Sequence, residues 1–234
     1  MMVHPRKART PIQLPLDLRL RTWGGKRDGA GRKAGTGKRS VPHRARPRHK
    51  AVYPLHVTMR AAVRGLRGEV VFARVQSALR RASGETFRVV HFSVQDNHLH
   101  LLVEANDKHT LTRGMRGLAV RAAHGINRAL GRRGQVFAER YHARELTRPR
   151  AVRHALVYIL HNHRKHGVTL AWLDPRSSAR SFDGWRRDVL FDVARTSPDR
   201  DEPPDVVAPK TWLAATGWRR SGLLGLDESP VRPG

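Results

Sequence analysis

Between residues 53 and 164 the spacing of apolar positions changes repeatedly, and each change outlines an element. Leu55, Val57 and Met59 alternate with His56, Thr58 and Arg60, the period-2 pattern of a half-buried strand. Gly65 and Gly68 mark a turn. Val71, Val75 and Leu79 then recur at helical spacing and predict a helix over 69–82, closed by Ser83-Gly84. Residues 87–94 are rich in β-branched and aromatic side chains, Gln95-Asp96-Asn97 is a short turn, and 98–104 is a returning strand. The stretch 86–104 therefore reads as a hairpin. A long helix is expected over 108–130, with Leu111, Met115, Leu118, Ala122, Ile126 and Leu130 as its apolar stripe and Gly131 and Gly134 after its end. A short strand at 142–146 precedes a last helix over 149–164, with Thr147 as a capping residue, Pro149 in the first turn and Gly167 as the stop.

The first six elements of this β-α-β-β-α-β-α order match the split βαβ pattern. The fold class expected is α+β, a ferredoxin-like or RRM-like antiparallel sheet with helices packed on one face. The flanks read differently. Residues 1–50 are rich in Arg, Lys, Gly and Pro and hold neither period, which predicts a flexible basic arm ahead of a folded domain at 51–170. Within the arm, Gly35-Thr36-Gly37-Lys38 is no phosphate loop: Arg32 replaces the first glycine, Arg39 follows the lysine, and no strand precedes it. Past 170 the apolar pattern weakens. Residues 171–195 are expected to pack back on the domain, and 196–234, where Pro and Asp accumulate, to form a mostly disordered tail.

Charge narrows the partner. The chain carries 46 Lys and Arg against 19 Asp and Glu, a formal net charge of +27. Residues 1–50 hold 15 basic and 2 acidic side chains, residues 51–170 hold 21 and 7, and residues 171–234 hold 10 of each. So basic an arm and middle attract polyanions, because each cation set on a phosphate releases condensed counterions. Arg113, Arg116, Arg121 and Arg128 lie off the apolar stripe of the long helix. With Lys26, Arg27, Arg32 and Lys33 of the arm they are the candidate nucleic-acid contacts. The chain has no cysteine, so thiolate metal sites and disulfides are excluded. No apolar run approaches the roughly 20 residues that span a bilayer, and Met1 to Arg9 lacks an apolar signal core. A cytoplasmic, nucleoid-associated protein without a membrane partner is expected.

Two constellations carry chemistry. In His98-Leu99-His100 the imidazoles share one face of a strand, an arrangement suited to a divalent metal, although a chain with 14 histidines also produces such pairs by chance. Tyr158 and Asn162 stand four apart on the last helix and share a face. Core packing of Tyr158 beside Leu156 and Ile159 would leave the same spacing. Together the two sets suit phosphodiester cleavage: a phenol attacks phosphorus while a cation polarises the phosphate. Tyr141 is a second tyrosine but has no metal-facing partner four residues on. His161-Asn162-His163 matches the letters of another nuclease motif without its ββα-metal context.

The run His98-Leu99-His100-Leu101-Leu102-Val103-Glu104 resembles the histidine–hydrophobic–histidine (HUH) motif, and Val157-Tyr158-Ile159-Leu160-His161-Asn162 resembles the nucleophile helix of the REP-associated tyrosine transposases, a group of single-tyrosine HUH transposases. Arg113-Gly114-Met115-Arg116-Gly117-Leu118, Asn127-Arg128, the segment Gly134 to His142 and Ser177-Ser178 are similar to the same family, in the same order, over about residues 52–185. The resemblance implies that His98, His100 and Asn162 bind Mg²⁺ or Mn²⁺. It implies that Tyr158 attacks single-stranded DNA folded into hairpins, giving a 5′-phosphotyrosine and a free 3′-hydroxyl in a monomer or homodimer. His163 stands where the family has Pro, so the helix is expected to run on. Two further readings are a non-catalytic hairpin DNA- or RNA-binding module and a basic RNA-coating protein. The last would stack bases on sheet aromatics, for which Phe87 and Phe92 are the candidates.

Overall fold

The computed structural model describes residues 48–137, 139–165, 173–187, 189 and 205–230. Four strands form one sheet: β1 (Leu55–Arg60), β2 (Phe87–Val94), β3 (His98–Ala105) and β4 (His142–Glu145). Their order is β2-β3-β1-β4, and every neighbouring pair is antiparallel. The helices are α1 (Glu69–Arg80), α2 (Lys108–Ala129) and α3 (Pro149–Leu160), followed by the short α4 (Asn162–Lys165). This is the α+β antiparallel sheet the periodicities predict. None of the described helices is long and apolar enough to cross a membrane.

Local chemistry sets the element ends. Asp107 accepts from Thr110 N at 2.7 Å while Thr110 Oγ1 accepts from Asp107 N at 3.0 Å, a reciprocal cap that fixes the start of α2. Helix α3 starts at Pro149, whose missing N–H costs nothing there, but its N-cap is Arg148 and not Thr147. It also ends earlier than expected. His161 breaks the helix, and Asn162 opens α4 in a fresh turn. Gly167, the expected stop, lies outside the described residues, as do residues 1–47 with Lys26, Arg27, Arg32 and Lys33.

The apolar alternates of the strands face α1 and α2. Val57, Met59, Phe92, Leu99, Leu101 and Val103 are buried there with Val75, Leu79, Leu118 and Ile126. Phe87 and Phe92 belong to this core and are 4% and 0% exposed, so neither is placed to stack on a base. The expectation of helices on one face holds for α1 and α2 but not for α3. A bulge in β2 between Val89 and His91 sets two residues against one of β3, so Val90 and His91 both lie on the other face, Val90 in a cluster with Leu102. That apolar pair seeds a second core. Leu156, Ile159 and Leu160 of α3 join it with Phe182, Trp185 and Trp218 from downstream.

The tail expectation is corrected over 205–230. That segment forms a helix α5 (Trp212–Ala215) and a 3-10 turn (Gly217–Ser221), and it buries Leu213, Ala214, Trp218 and Leu224. Buried Glu104 accepts from Lys210 N at 2.8 Å, from Thr211 N at 2.9 Å and from Thr211 Oγ1 at 2.8 Å. Arg153 of α3 grips both carboxylate oxygens of Glu228, at 2.8 and 2.9 Å. These ties outweigh a composition that reads as disordered. Gly184 is required in this packing, because a Cβ there would collide with Trp218 and Phe182.

His91 lies within the second core, its Nδ1 3.1 Å from Ser178 Oγ and its ring edge-on to Phe182. Burial lowers its pKa from 6.5 to about 4. A pKa depressed on folding means that stability is full above pH 6.5 and lost as pH falls toward 4. The difference is about 3 kcal/mol at the acid end. Melting temperatures taken from pH 7.5 to 4.5 should fall for the native chain and fall measurably less for His91→Gln. Superimposable profiles would contradict this account of His91.

Candidate active site

Antiparallel register sets polar side chains in a row across the second face of the sheet. His100 of β3 pairs with Ser93 of β2 and with Thr58 of β1, and Thr58 pairs with His142 of β4. One step along, Leu102 pairs with His91 and with His56. Since opposed residues in an antiparallel pair share a face, β1 contributes His56 and Thr58 to the surface that carries His98 and His100. Helix α3 crosses this face over β2 and β3. The half formed by β1 and β4 stays open, with Arg60, His142 and Arg144 exposed.

The crossing sets Tyr158 over the histidines. Its ring stands perpendicular to that of His100 with centroids 4.9 Å apart, and it meets the His56 ring edge-on at 5.5 Å. His98 and His100 stack edge to face at 4.8 Å. Tyr158 is half-buried, unlike its α3 neighbours Val157 and Ile159, which lie in the second core. Core packing therefore does not account for it. Tyr141 packs against the core on the opposite face of the sheet, away from the histidines.

The two imidazoles are oriented through their Nδ1 atoms. His98 Nδ1 lies 3.0 Å from Asn97 Oδ1. His100 Nδ1 lies 3.1 Å from Thr58 Oγ1 and 3.3 Å from His56 Nε2. His56 is held neutral: burial, with the nearby charges of His142 and Arg144, lowers its pKa to about 4. A neutral imidazole keeps one acceptor nitrogen, so His56 can accept a proton bond from His100 Nδ1. Outer partners of this kind fix the tautomer and angle of a ligating histidine. His56 and Thr58 escaped the sequence reading as the solvent side of a half-buried strand. Their alternation with Leu55, Val57 and Met59 was the available signal.

Asn162 is one turn beyond Tyr158, across the break at His161. It is 0% exposed, and neither its Oδ1 nor its Nδ2 is hydrogen-bonded among the described residues. It is bonded to neither histidine. Its neighbours are core groups: His161 packs edge-on to Trp185, and His163 Nδ1 lies 3.9 Å from buried Asp174, itself gripped by Arg67 at 2.8 and 3.0 Å. Burial lowers the pKa of His161 to about 4, with Arg164 and His163 adding to the effect. No group of three or more His, Asp or Glu side chains gathers as a metal site among the described residues. Ser177 and Ser178 are buried, and Ser178 Oγ joins His91 to the Phe92 backbone. Arg113, Arg116, Arg121 and Arg128 are exposed on α2, whose core contacts lie on the far face of the sheet from Tyr158.

No protein-family model matches the chain, and no curated protein matches it. Among solved structures it is similar to a REP-associated tyrosine transposase bound to a REP hairpin. The identity is 16% and the TM-score 0.47, over 73% of this chain and 100% of that one.

A buried amide without partners costs about 1–3 kcal/mol in desolvation. Asn162→Leu, which removes that cost at similar volume, should leave the metal-free protein as stable as the native chain or more stable in urea denaturation. A loss above about 2 kcal/mol would show that the amide has a structural partner and is not held open for a ligand.

Proposed function

We propose that the protein is a single-tyrosine endonuclease and strand transferase of the REP-associated transposase type, acting on single-stranded DNA that folds into hairpins. The observation that carries this reading is the meeting of two distant motifs on one sheet face, with the rings of His100 and Tyr158 perpendicular at 4.9 Å. Nothing in the local sequence of β3 or α3 requires it. Three further features support the reading: the orientation of both imidazoles through Nδ1, the buried amide of Asn162 with no partner among the described residues, and the exposed cations beside the site on β1 and β4.

The residues fit a divalent ion such as Mg²⁺ or Mn²⁺. Two neutral imidazoles and one amide oxygen form an uncharged donor set, which leaves the ion's charge for an anionic phosphate. His98 and His100 would bind through Nε2, since each Nδ1 is engaged, and Asn162 through Oδ1. When bound, the ion supplies Lewis-acid polarisation of the scissile phosphate.

The chain's own groups do the rest. Arg60 and Arg144 on the open half of the face would draw the phosphate backbone toward the strands. Tyr158 Oη forms the new bond to phosphorus as the bond to the 3′ oxygen breaks. The phenol loses its proton and the departing oxygen takes one up, leaving a 3′-hydroxyl. The packing of α3 holds the phenol in line, so little orientation remains to be fixed when the strand arrives. One phosphodiester is exchanged for another, so the strand can be rejoined without ATP.

A labelled hairpin strand incubated with the protein and Mn²⁺ should yield a covalent protein–DNA band on a denaturing gel. Tyr158→Phe should abolish it, Tyr141→Phe should retain it, and His100→Ala or chelation should reduce it at least 100-fold. Shifted complexes with no covalent band across several hairpins and metals would reject the nuclease and favour a binding module.

A further inference from the structure

The far side of the molecule carries a second charged feature. Between α1 and α2 runs a groove of about 370 Å³ lined by Arg74, Ser77 and Arg81 from α1 and by Arg121, His124 and Arg128 from α2. The residues fall at i, i+3 and i+7 on each helix, so each helix gives the groove one continuous stripe. Gly125 brings the stripes together: a Cβ there would stand 2.8 Å from Arg74 Cβ. All four arginines are exposed. None of them is in an ion pair among the described residues, and no acidic side chain lines the groove. Exposed Arg64, by contrast, is paired with Asp96 at 2.7 Å.

Four guanidiniums held together without a counter-charge repel one another and cost stability unless a polyanion meets them. The stripe from i to i+7 is about 10 Å long, the axial length of about three phosphates on one strand of a duplex. No Phe, Tyr or Trp among the described residues lines the groove. Unpaired bases would have no ring to stack on, so the groove is built for phosphates and not for bases.

We propose that the α1–α2 groove is a second nucleic-acid site, on the opposite face of the sheet from His98, His100 and Tyr158, which holds the backbone of double-stranded DNA such as a hairpin stem. The inference rests on the nucleic-acid reading above but needs neither the metal nor the tyrosine. It divides the labour between faces: one grips the paired stem, the other meets the strand to be cut.

The test uses the full chain in EDTA, with fluorescence anisotropy on a blunt DNA duplex and on an oligothymidine strand of equal length. Arg74→Gln/Arg121→Gln removes one cation from each stripe, and Arg180→Gln/Arg187→Gln removes two exposed cations from the C-terminal segment. The groove pair should weaken duplex binding about tenfold at about 0.15 M salt and lower the slope of log K against log salt by about 2, while oligothymidine binding changes less than twofold. Arg74→Lys/Arg121→Lys should restore the slope. Equal weakening by the two pairs, or equal loss on both probes, would overturn the proposal and leave only net charge at work. Covalent capture is read separately. A chain that never forms the tyrosine adduct yet shows the selective duplex loss keeps the groove and loses the nuclease.

Discussion

The candidate site depends on the docking of α3 on the second face of the sheet. Val152, Leu156, Ile159 and Leu160 bury themselves against Val90, Leu102, Phe182 and Trp185. Each fully buried side chain of this kind is worth about 1.5–3 kcal/mol, so the helix has one strongly favoured seat. That seat exists because Val90 and Leu102 form an apolar patch on a face otherwise given to His56, Thr58, His91, Ser93 and His100, the β2 bulge setting Val90 and His91 side by side there. Tyr158 lies at the edge of the apolar stripe of α3, so seating the stripe sets its ring over the histidines. The described segments 177–187 and 213–226 close the same core from outside, through Phe182, Trp185, Trp218 and Leu224. The position of the phenol is thus tied to parts of the chain far from it in sequence.

Much of this was legible. Strands β1 to β4 and helices α1 and α2 fall within a residue or two of their expected bounds, because each has a clean period and a turn or cap at its ends. The site face was legible in part. His98-x-His100 follows strand alternation directly, whereas His56 and Thr58 take on meaning only once β1 is known to pair with β3. Two things were hidden. The phase slip from Phe87 and Val89 to Phe92 and Val94 marks the bulge, but it resembles an ordinary apolar run until the partner strand is aligned. Helix α3 carries apolar residues that fit either face, so its side of the sheet is a tertiary choice. The C-terminal segment misleads for a related reason. Its Pro and Asp content lowers mean hydropathy, yet a few large side chains, Trp218 above all, and the carboxylate of Glu104 suffice to hold it.

The two faces of the sheet differ in kind. One is sealed by α1 and α2 over an apolar core and carries its charge outside, on the helices. The other is half covered, polar at its centre and open along β4. A protein that must grip a folded polyanion and also bring a weak nucleophile to one phosphate has use for both. Rigidity is needed only where the phenol meets the phosphate, and the crossing of α3 supplies it there.

The central claim is that His98, His100 and Asn162 converge on one divalent ion with Tyr158 facing it. Crystals soaked in MnCl₂ and measured at the manganese absorption edge test it most directly. The account predicts one strong anomalous peak within bonding distance of His98 Nε2, His100 Nε2 and Asn162 Oδ1, with the Tyr158 hydroxyl on the open side of the ion. A peak elsewhere, no peak at saturating manganese, or a Tyr158 ring turned into the second core would contradict it.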